Sequence, residues 1–256
     1  MSLRIGGYFP NSDQPPLSRE ETEIVNRFHD LYYRRWLTLG ADTKKLSWFG
    51  YRLTKCPLDL WLYQELLVRT RPEVVIETGT QFGGSAFFIA TILDQIDHGR
   101  VITIDIEREP DLPEHPRLSY LTGSSVDPQI VAQIRDAVGS KRALVILDSD
   151  HSAAHVYQEM LAYSPFVQLG DYLIVEDTNV NGHPVWPDFG PGPMEAVDKF
   201  LSETDEFEID ERCERFLMTL NPRGYLRRKA VRGQAVEADA QTEDDRGVVP
   251  ASREPE

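Results

Sequence analysis

Between residues 73 and 177 the chain alternates short β-branched apolar runs with stretches of helical periodicity, and no other feature constrains the fold as much. The runs are EVVIE (73–77), VITIDI (101–106), a shorter one within LSYLTGSS, ALVILD (143–148) and DYLIVED (171–177). GGSAFFIATILDQI, DPQIVAQIRDAV and SAAHVYQEMLAYSPFV separate them. Strands that are apolar at nearly every position are buried on both faces, so the pattern predicts a doubly wound α/β fold with a parallel sheet under helices on both sides. The ligand crevice of such a sheet lies at the carboxyl ends of its strands.

The flanks are less regular. Residues 1–17 form a Pro- and Gly-rich arm; Ser18 and Glu21 then make a capping-box pattern, and Ile24, Phe28, Leu31 and Tyr32 recur at helical spacing, which predicts a helix from about 19 to about 37. The Pro-interrupted stretch that follows reads as a loop carrying Trp48, Phe49 and Tyr51 either to a ligand or into the core, and DLWLYQELLVRT as a helix ended by Pro72. Beyond the loop NVNGHPVWPDFGPGP, MEAVDKFLSET reads as a helix opened by Pro193. FEIDERCERF and LMTLNPRGYLRR read as two closing strands, with a break near 213–216 and a turn around 221–224. Residues 229–256 carry four basic and seven acidic side chains and little large apolar surface, the composition of a disordered tail. The expected organisation is an arm and helix over 1–47, one α/β domain over 48–228, and the tail.

Charge narrows the partners. A formal net charge of -15 repels phosphate backbones, which argues against nucleic acid. Two cysteines, Cys56 and Cys213, make neither a disulfide framework nor a zinc cluster. The first residues lack a secretory signal, and no run approaches the roughly 20 apolar residues of a membrane span, so a cytoplasmic protein without membrane contact is expected.

The richest segment runs from Glu77 through Gly79, Gln81 and Gly83 to Ser85, between a strand and a helix. Its glycines permit a sharp turn and close approach to a ligand, but their spacing is not that of a dinucleotide fingerprint. A pyrophosphate needs open amides at a helix N-terminus, whereas a strand-ending carboxylate suits a cationic amino-acid end, so S-adenosylmethionine is favoured over NAD. Asp105, ending the second strand, suits ribose hydroxyls of either ligand, and Ser124 and Ser125 follow the third strand as adenine neighbours.

A second cluster lies at the ends of the fourth and fifth strands, in Asp148-Ser149-Asp150-His151 and Glu176-Asp177. Crowded carboxylates call for a cation, and all-oxygen ligation suits Mg²⁺ or another hard divalent ion, with Asp148, Glu176 and Asp177 as ligands. Such an ion lowers the pKa of a substrate hydroxyl and aims it at a methyl donor. His151 is then the candidate general base, with Asp150 orienting or replacing it. Asn181, His183 and Trp186, in the loop after the fifth strand, are candidates for shaping acceptor specificity.

From about Trp48 to about Arg228 the sequence resembles the cephalosporin hydroxylase/rhamnosyl O-methyltransferase family. The resemblance rests on Lys55-Cys56-Pro57-Leu58-Asp59-Leu60-Trp61 with Tyr63-Gln64-Glu65, Arg71-Pro72, Ile76-Glu77-Thr78-Gly79-Thr80 with Gly83-Gly84-Ser85, Leu147 to His151, and Val175-Glu176-Asp177-Thr178. It implies a Rossmann-like class I methyltransferase fold with a seven-stranded, mostly parallel sheet. It also implies S-adenosylmethionine at Glu77, Gly79 and Ser85, with Asp105 at the ribose, Asp148 beside the cofactor, and Asp59 and Gln64 contributing to the pocket. Further implications are Mg²⁺ at Asp148, Glu176 and Asp177, a homo-oligomer, and a small acceptor such as a deoxysugar hydroxyl of a glycosylated natural product in antibiotic biosynthesis. His151, His155 and His183 are poorly spaced for a two-histidine iron site, which argues against oxygenase chemistry. The competing readings are an NAD-linked oxidoreductase and a non-catalytic S-adenosylmethionine-binding partner of a pathway enzyme.

Overall fold

The computed structural model describes residues 15–38 and 46–229; most of the expected arm, residues 39–45 and nearly all of the expected tail lie outside the described residues. In chain order the elements are α1 (Arg19–Thr38), β1 (Ser47–Trp48), β2 (Tyr51–Arg52), α2 (Pro57–Thr70), β3 (Val74–Thr78), α3 (Gly84–Gln95), β4 (Arg100–Asp105), β5 (Leu118–Thr122), α4 (Pro128–Val138), β6 (Ala143–Leu147), α5 (Ala153–Tyr163), β7 (Tyr172–Val175), α6 (Pro193–Glu203), β8 (Phe207–Ile209) and β9 (Tyr225–Arg228). Seven strands form one sheet in the order β5-β4-β3-β6-β7-β9-β8. The first five neighbours pair in parallel, and β9 runs antiparallel between β7 and β8. This is the mostly parallel seven-stranded sheet expected of a class I methyltransferase fold.

Alternation along the strands explains the two covering layers. Val74, Ile76, Val145, Leu147, Leu173 and Val175 face a core closed by Ile130 and Ile134 of α4, Met160 of α5 and Val197 of α6. Their strand neighbours Val75, Leu144, Ile146, Tyr172 and Ile174 face a second core, closed by Leu62 and Leu66 of α2 and Ile89 and Leu93 of α3. Successive strand side chains point to opposite faces, so strands apolar at every position fill both cores. Winding proceeds outward from β3 in one direction and from β6 in the other, which opens a crevice at the carboxyl ends of this central pair.

Two expectations change. The stretch carrying Trp48 is a small antiparallel hairpin of β1 and β2, and Trp48 itself packs edge-on against Phe88, its indole donating to Thr91 Oγ1 at 2.9 Å. The closing strands are shorter than their apolar content suggests. Asp210 ends β8 by accepting from the Arg212 amide at the start of a 3₁₀ turn, and the segment ahead of β9 leaves the sheet because Thr219 and Leu220 bind the buried Asp59 carboxylate.

Helix α1 docks through His29, only 4% exposed, whose Nε2 lies 3.0 Å from Asn179 Nδ2. Burial drives the His29 pKa from 6.5 down to about 4, against a smaller opposing pull from Asp30. The unfolded chain therefore takes up a proton below pH 6.5 that the folded protein refuses, and stability falls as the pH drops from 6.5 towards 4. Thermal melts at pH 7.5, 6 and 5 should show this decline, and His29→Gln should flatten it. No described helix is long and apolar enough to cross a membrane.

Candidate functional site

The turn after β3 brings the strand ends together. Gly79 has φ +85, and a Cβ there would stand 1.9 Å from the Asp148 carbonyl oxygen, so the chain passes directly against the end of β6. Gly84 is equally confined, since its Cβ would meet the Arg52 carbonyl at 2.0 Å. The Asp148 amide donates to the Thr78 carbonyl at 3.1 Å, which fixes the two strand ends in register. On the other flank the Asp105 carboxylate accepts from the Gln81 amide at 2.8 Å. Between these elements lies a cleft of about 650 Å³, walled by Gly79, Gln81, Asp105, Ser124, Ser125 and the segment 148–151, with His155 and Asp177 completing it. That volume is within the usual range for a small-molecule or cofactor site.

Glu77 is fully buried beneath the turn. Thr103 donates to its Oε2 at 2.7 Å, while Oε1 has no hydrogen-bond partner. Burial pushes its pKa up to about 7, although Lys55 and the Ser85 and Thr103 hydroxyls work in the other direction. Glu77 is not among the residues that wall the cleft.

At the opposite wall, Asp148, His151 and Asp177 offer ligand atoms that all lie within 4.8 Å of one another. His151 Nε2 sits 3.4 Å from both Asp148 Oδ1 and Asp177 Oδ2 and is buried without a hydrogen-bond partner. Burial opposes a charge on the imidazole, but Asp177 and Asp148 outweigh it and raise the pKa to about 9. For Asp148, burial is overcome by Lys55 and His151, which hold it below the usual carboxylate range. Asp177 is raised by burial despite His151. Its backbone is left-handed at φ 53, and the Asn221 side chain accepts its amide at 2.9 Å, holding the turn that swings Asp177 into the cleft.

Glu176 stands apart from this cluster. Its Oε1 accepts from Lys55 Nζ at 2.7 Å and from the Tyr63 hydroxyl, on the α2 side of the sheet. Burial raises its pKa to about 7 even with Lys55 in contact. Lys55, itself buried, also donates to Asp148 Oδ2 at 2.5 Å, so one ammonium ties the ends of β6 and β7 together.

A family profile described as Rhamnosyl O-methyltransferase/CmcI matches residues 41–229. The chain belongs to this family. A protein of Mycobacterium bovis BCG named rhamnosyl O-methyltransferase is 40% identical over 202 residues, covering 76% of this chain and 82% of that protein. Its namesake in Mycobacterium leprae is 36% identical over 218 residues, covering 82% and 93%. Among solved structures, apo CmcI superposes with a TM-score of 0.59 at 21% identity over 88% of this chain and 91% of that one, and CmcI with Mg and SAM gives 0.56 at 24% over 74% and 79%. At such identities the likeness speaks for the fold.

Within this rhamnosyl O-methyltransferase/CmcI member, the structure brings Gly79, Gln81, Asp105, Ser124, Ser125, Asp148, Asp150, His151 and Asp177 to one cleft. Gly83 and Ser85 lie in the adjoining turn and at the start of α3, and Ser85 and Asp148 line a small recess with Lys55. Asp59 departs from the expected pocket role: it is buried and accepts from Thr219, the Leu220 amide and Tyr225, fixing the segment that precedes β9. Gln64 lies half-buried on α2 and does not line the cleft. Asp150 accepts from the Ser152 amide at 2.7 Å, and hydrogen bonding to the Ser152 side chain and amide holds its pKa low, so its carboxylate is engaged at the turn into α5 rather than in orienting His151. The loop residues Asn181 and His183 bind Glu195 instead of lining the cleft.

Two groups at the site carry no role expected from the sequence. Lys55 appears there only as a motif letter, and His155, 3.1 Å from Ser125 Oγ, reaches the cleft with no role assigned. Their sequence signals were a lysine inside an apolar motif and an i,i+4 pair with the buried Glu159.

Proposed function

We propose that this S-adenosylmethionine-dependent O-methyltransferase transfers the cofactor's methyl group to a hydroxyl of a rhamnose-type deoxysugar on a small natural product, with Mg²⁺ held at Asp148 and Asp177. The observation that carries the reading is the convergence of Asp148, His151 and Asp177 on the same cleft that Gly79 and Asp105 wall. The mycobacterial relatives named for rhamnosyl acceptors support the sugar, and an antibiotic glycoside is one acceptor of that kind.

The donor set fits a hard cation. Two carboxylates converge, and the orphaned His151 Nε2 lies between them. Bound there, the cation would supply Lewis acidity to the acceptor hydroxyl and take up the carboxylate charge that keeps His151 protonated. His151 is the base in this scheme: an imidazole with a pKa of about 9 holds its proton at neutral pH and accepts one only when Asp148 and Asp177 are otherwise engaged. In this reading Asp105, on the cleft wall, takes the ribose hydroxyls of the cofactor, and Glu77, buried beneath the turn after β3, takes its ammonium end. Glu176, expected as a third ligand, acts here through Lys55 to brace Asp148.

Incubation with methyl-labelled S-adenosylmethionine and a panel of rhamnosides, with Mg²⁺ or with EDTA, tests this. Label on a rhamnosyl oxygen only in the Mg²⁺ arm is expected. Equal transfer in both arms would remove the metal from the scheme, and transfer to non-sugar hydroxyls alone would remove the sugar.

A further inference from the structure

The recess beside the cleft is small, about 20 Å³ against about 650 Å³, which suits the end of a ligand rather than a whole one. Cleft and recess share Thr54, Gly79, Gln81 and Asp148, so the recess opens off the cleft at the turn after β3. Gly84 and Ser85, the first residues of α3, bring a helix N-terminus to it.

Two permanent cations line the recess, and they are not equivalent. Lys55 is held by Asp148 and Glu176. Arg52 makes no ion pair among the described residues; its guanidinium lies 3.9 Å from the centroid of the Phe82 ring, and Phe82 also lines the recess. Stacking engages the face of a guanidinium and leaves its N–H edge free to take a carboxylate with two parallel hydrogen bonds. The backbone of Arg52 is fixed as well. It ends β2, its carbonyl oxygen would stand 2.0 Å from a Cβ on Gly84, and the preceding Tyr51 packs edge-on against Phe87 of α3 at 5.0 Å. In a chain of net charge -15, an anionic ligand group needs a cation placed for it.

We propose that Arg52 binds the carboxylate at the methionine end of S-adenosylmethionine, an assignment that rests on the cofactor lying in the cleft. That carboxylate is the cofactor's one anionic group, and Arg52 would repel its sulfonium and ammonium. Asp105 lines the cleft and not the recess, so the ribose and the carboxylate fall to different compartments and the cofactor can lie in only one direction.

Calorimetric titration of the full chain, with Mg²⁺ and without acceptor, compares S-adenosylmethionine with decarboxylated S-adenosylmethionine, which lacks that group alone. The wild-type protein should bind the intact cofactor about 30-fold more tightly. Arg52→Gln should bind both compounds alike, at the wild-type affinity for the decarboxylated one, which also shows the variant to be folded. Arg52→Lys keeps the charge but not the planar fork, and should retain part of the preference. No wild-type preference, a preference that survives in Arg52→Gln, or equal weakening of both compounds in the two variants would overturn the proposal and leave the cofactor in the cleft. Binding of neither compound by the wild-type protein would remove the cofactor reading with it.

Discussion

Asp148→Asn should lower methyl transfer by about 10³-fold, a loss of the size seen when one preorganised electrostatic contact to a developing charge is removed. Asparagine keeps the shape and one oxygen, but it removes the negative charge that both His151 and Lys55 read. The expected pattern is lost turnover and lost Mg²⁺ binding, with adenosylhomocysteine affinity within about threefold of wild type, because the contacts proposed for the cofactor at Glu77 and Asp105 remain. Turnover close to wild type would exclude Asp148 from the chemistry. Equal losses in cofactor and metal affinity would point instead to collapse of the strand ends, since Asp148 also anchors the buried Lys55.

Gly79→Ala should be the most damaging single-methyl change in the protein. At φ +85 the backbone is already unfavourable for alanine, and the new Cβ would lie 1.9 Å from one backbone atom of Asp148 and 2.6 Å from another. No flexible side chain can give way there, so β3 and β6 must separate at their ends. A loss of about 3 kcal/mol, roughly 10 °C in melting temperature, is expected together with loss of cofactor binding. The same substitution at Gly139, where a Cβ meets nothing within 4 Å, controls for backbone strain alone. Comparable melting temperatures for the two variants would show that close packing of the strand ends is unimportant.

The sheet was legible because burial on both faces leaves a plain mark, a strand that is apolar at nearly every position, and β3, β4, β6 and β7 carry it whereas the half-exposed edge strand β5 does not. Asp105 and Asp148 were legible as walls of the cleft because they follow the apolar runs at the carboxyl edge of the sheet, while Glu77 lies buried beneath the turn. The limits were geometric. Glu176 and Asp177 read alike as adjacent acids, but successive residues at a strand end point to opposite faces, and Glu176 turns to Lys55 and Tyr63 while the left-handed turn at Asp177 carries its side chain into the cleft. Lys55 meets Asp148 across 93 residues of sequence and Thr219 meets Asp59 across 160, partnerships that no local pattern announces. The pocket role of Asp59 came from the family resemblance alone, and a buried acid that fixes a neighbouring segment is identical as a letter to one that binds a ligand.

The proposed chemistry requires one cleft to hold S-adenosylmethionine beside a divalent cation. Calorimetric titration of the full chain with S-adenosylmethionine, adenosylhomocysteine and NAD, each with Mg²⁺ and with EDTA, tests it most directly. Micromolar binding of both methionine-derived ligands, no binding of NAD, and a separate Mg²⁺ isotherm that Asp148→Asn abolishes are expected. NAD binding, or no binding by either methionine-derived ligand, would contradict it.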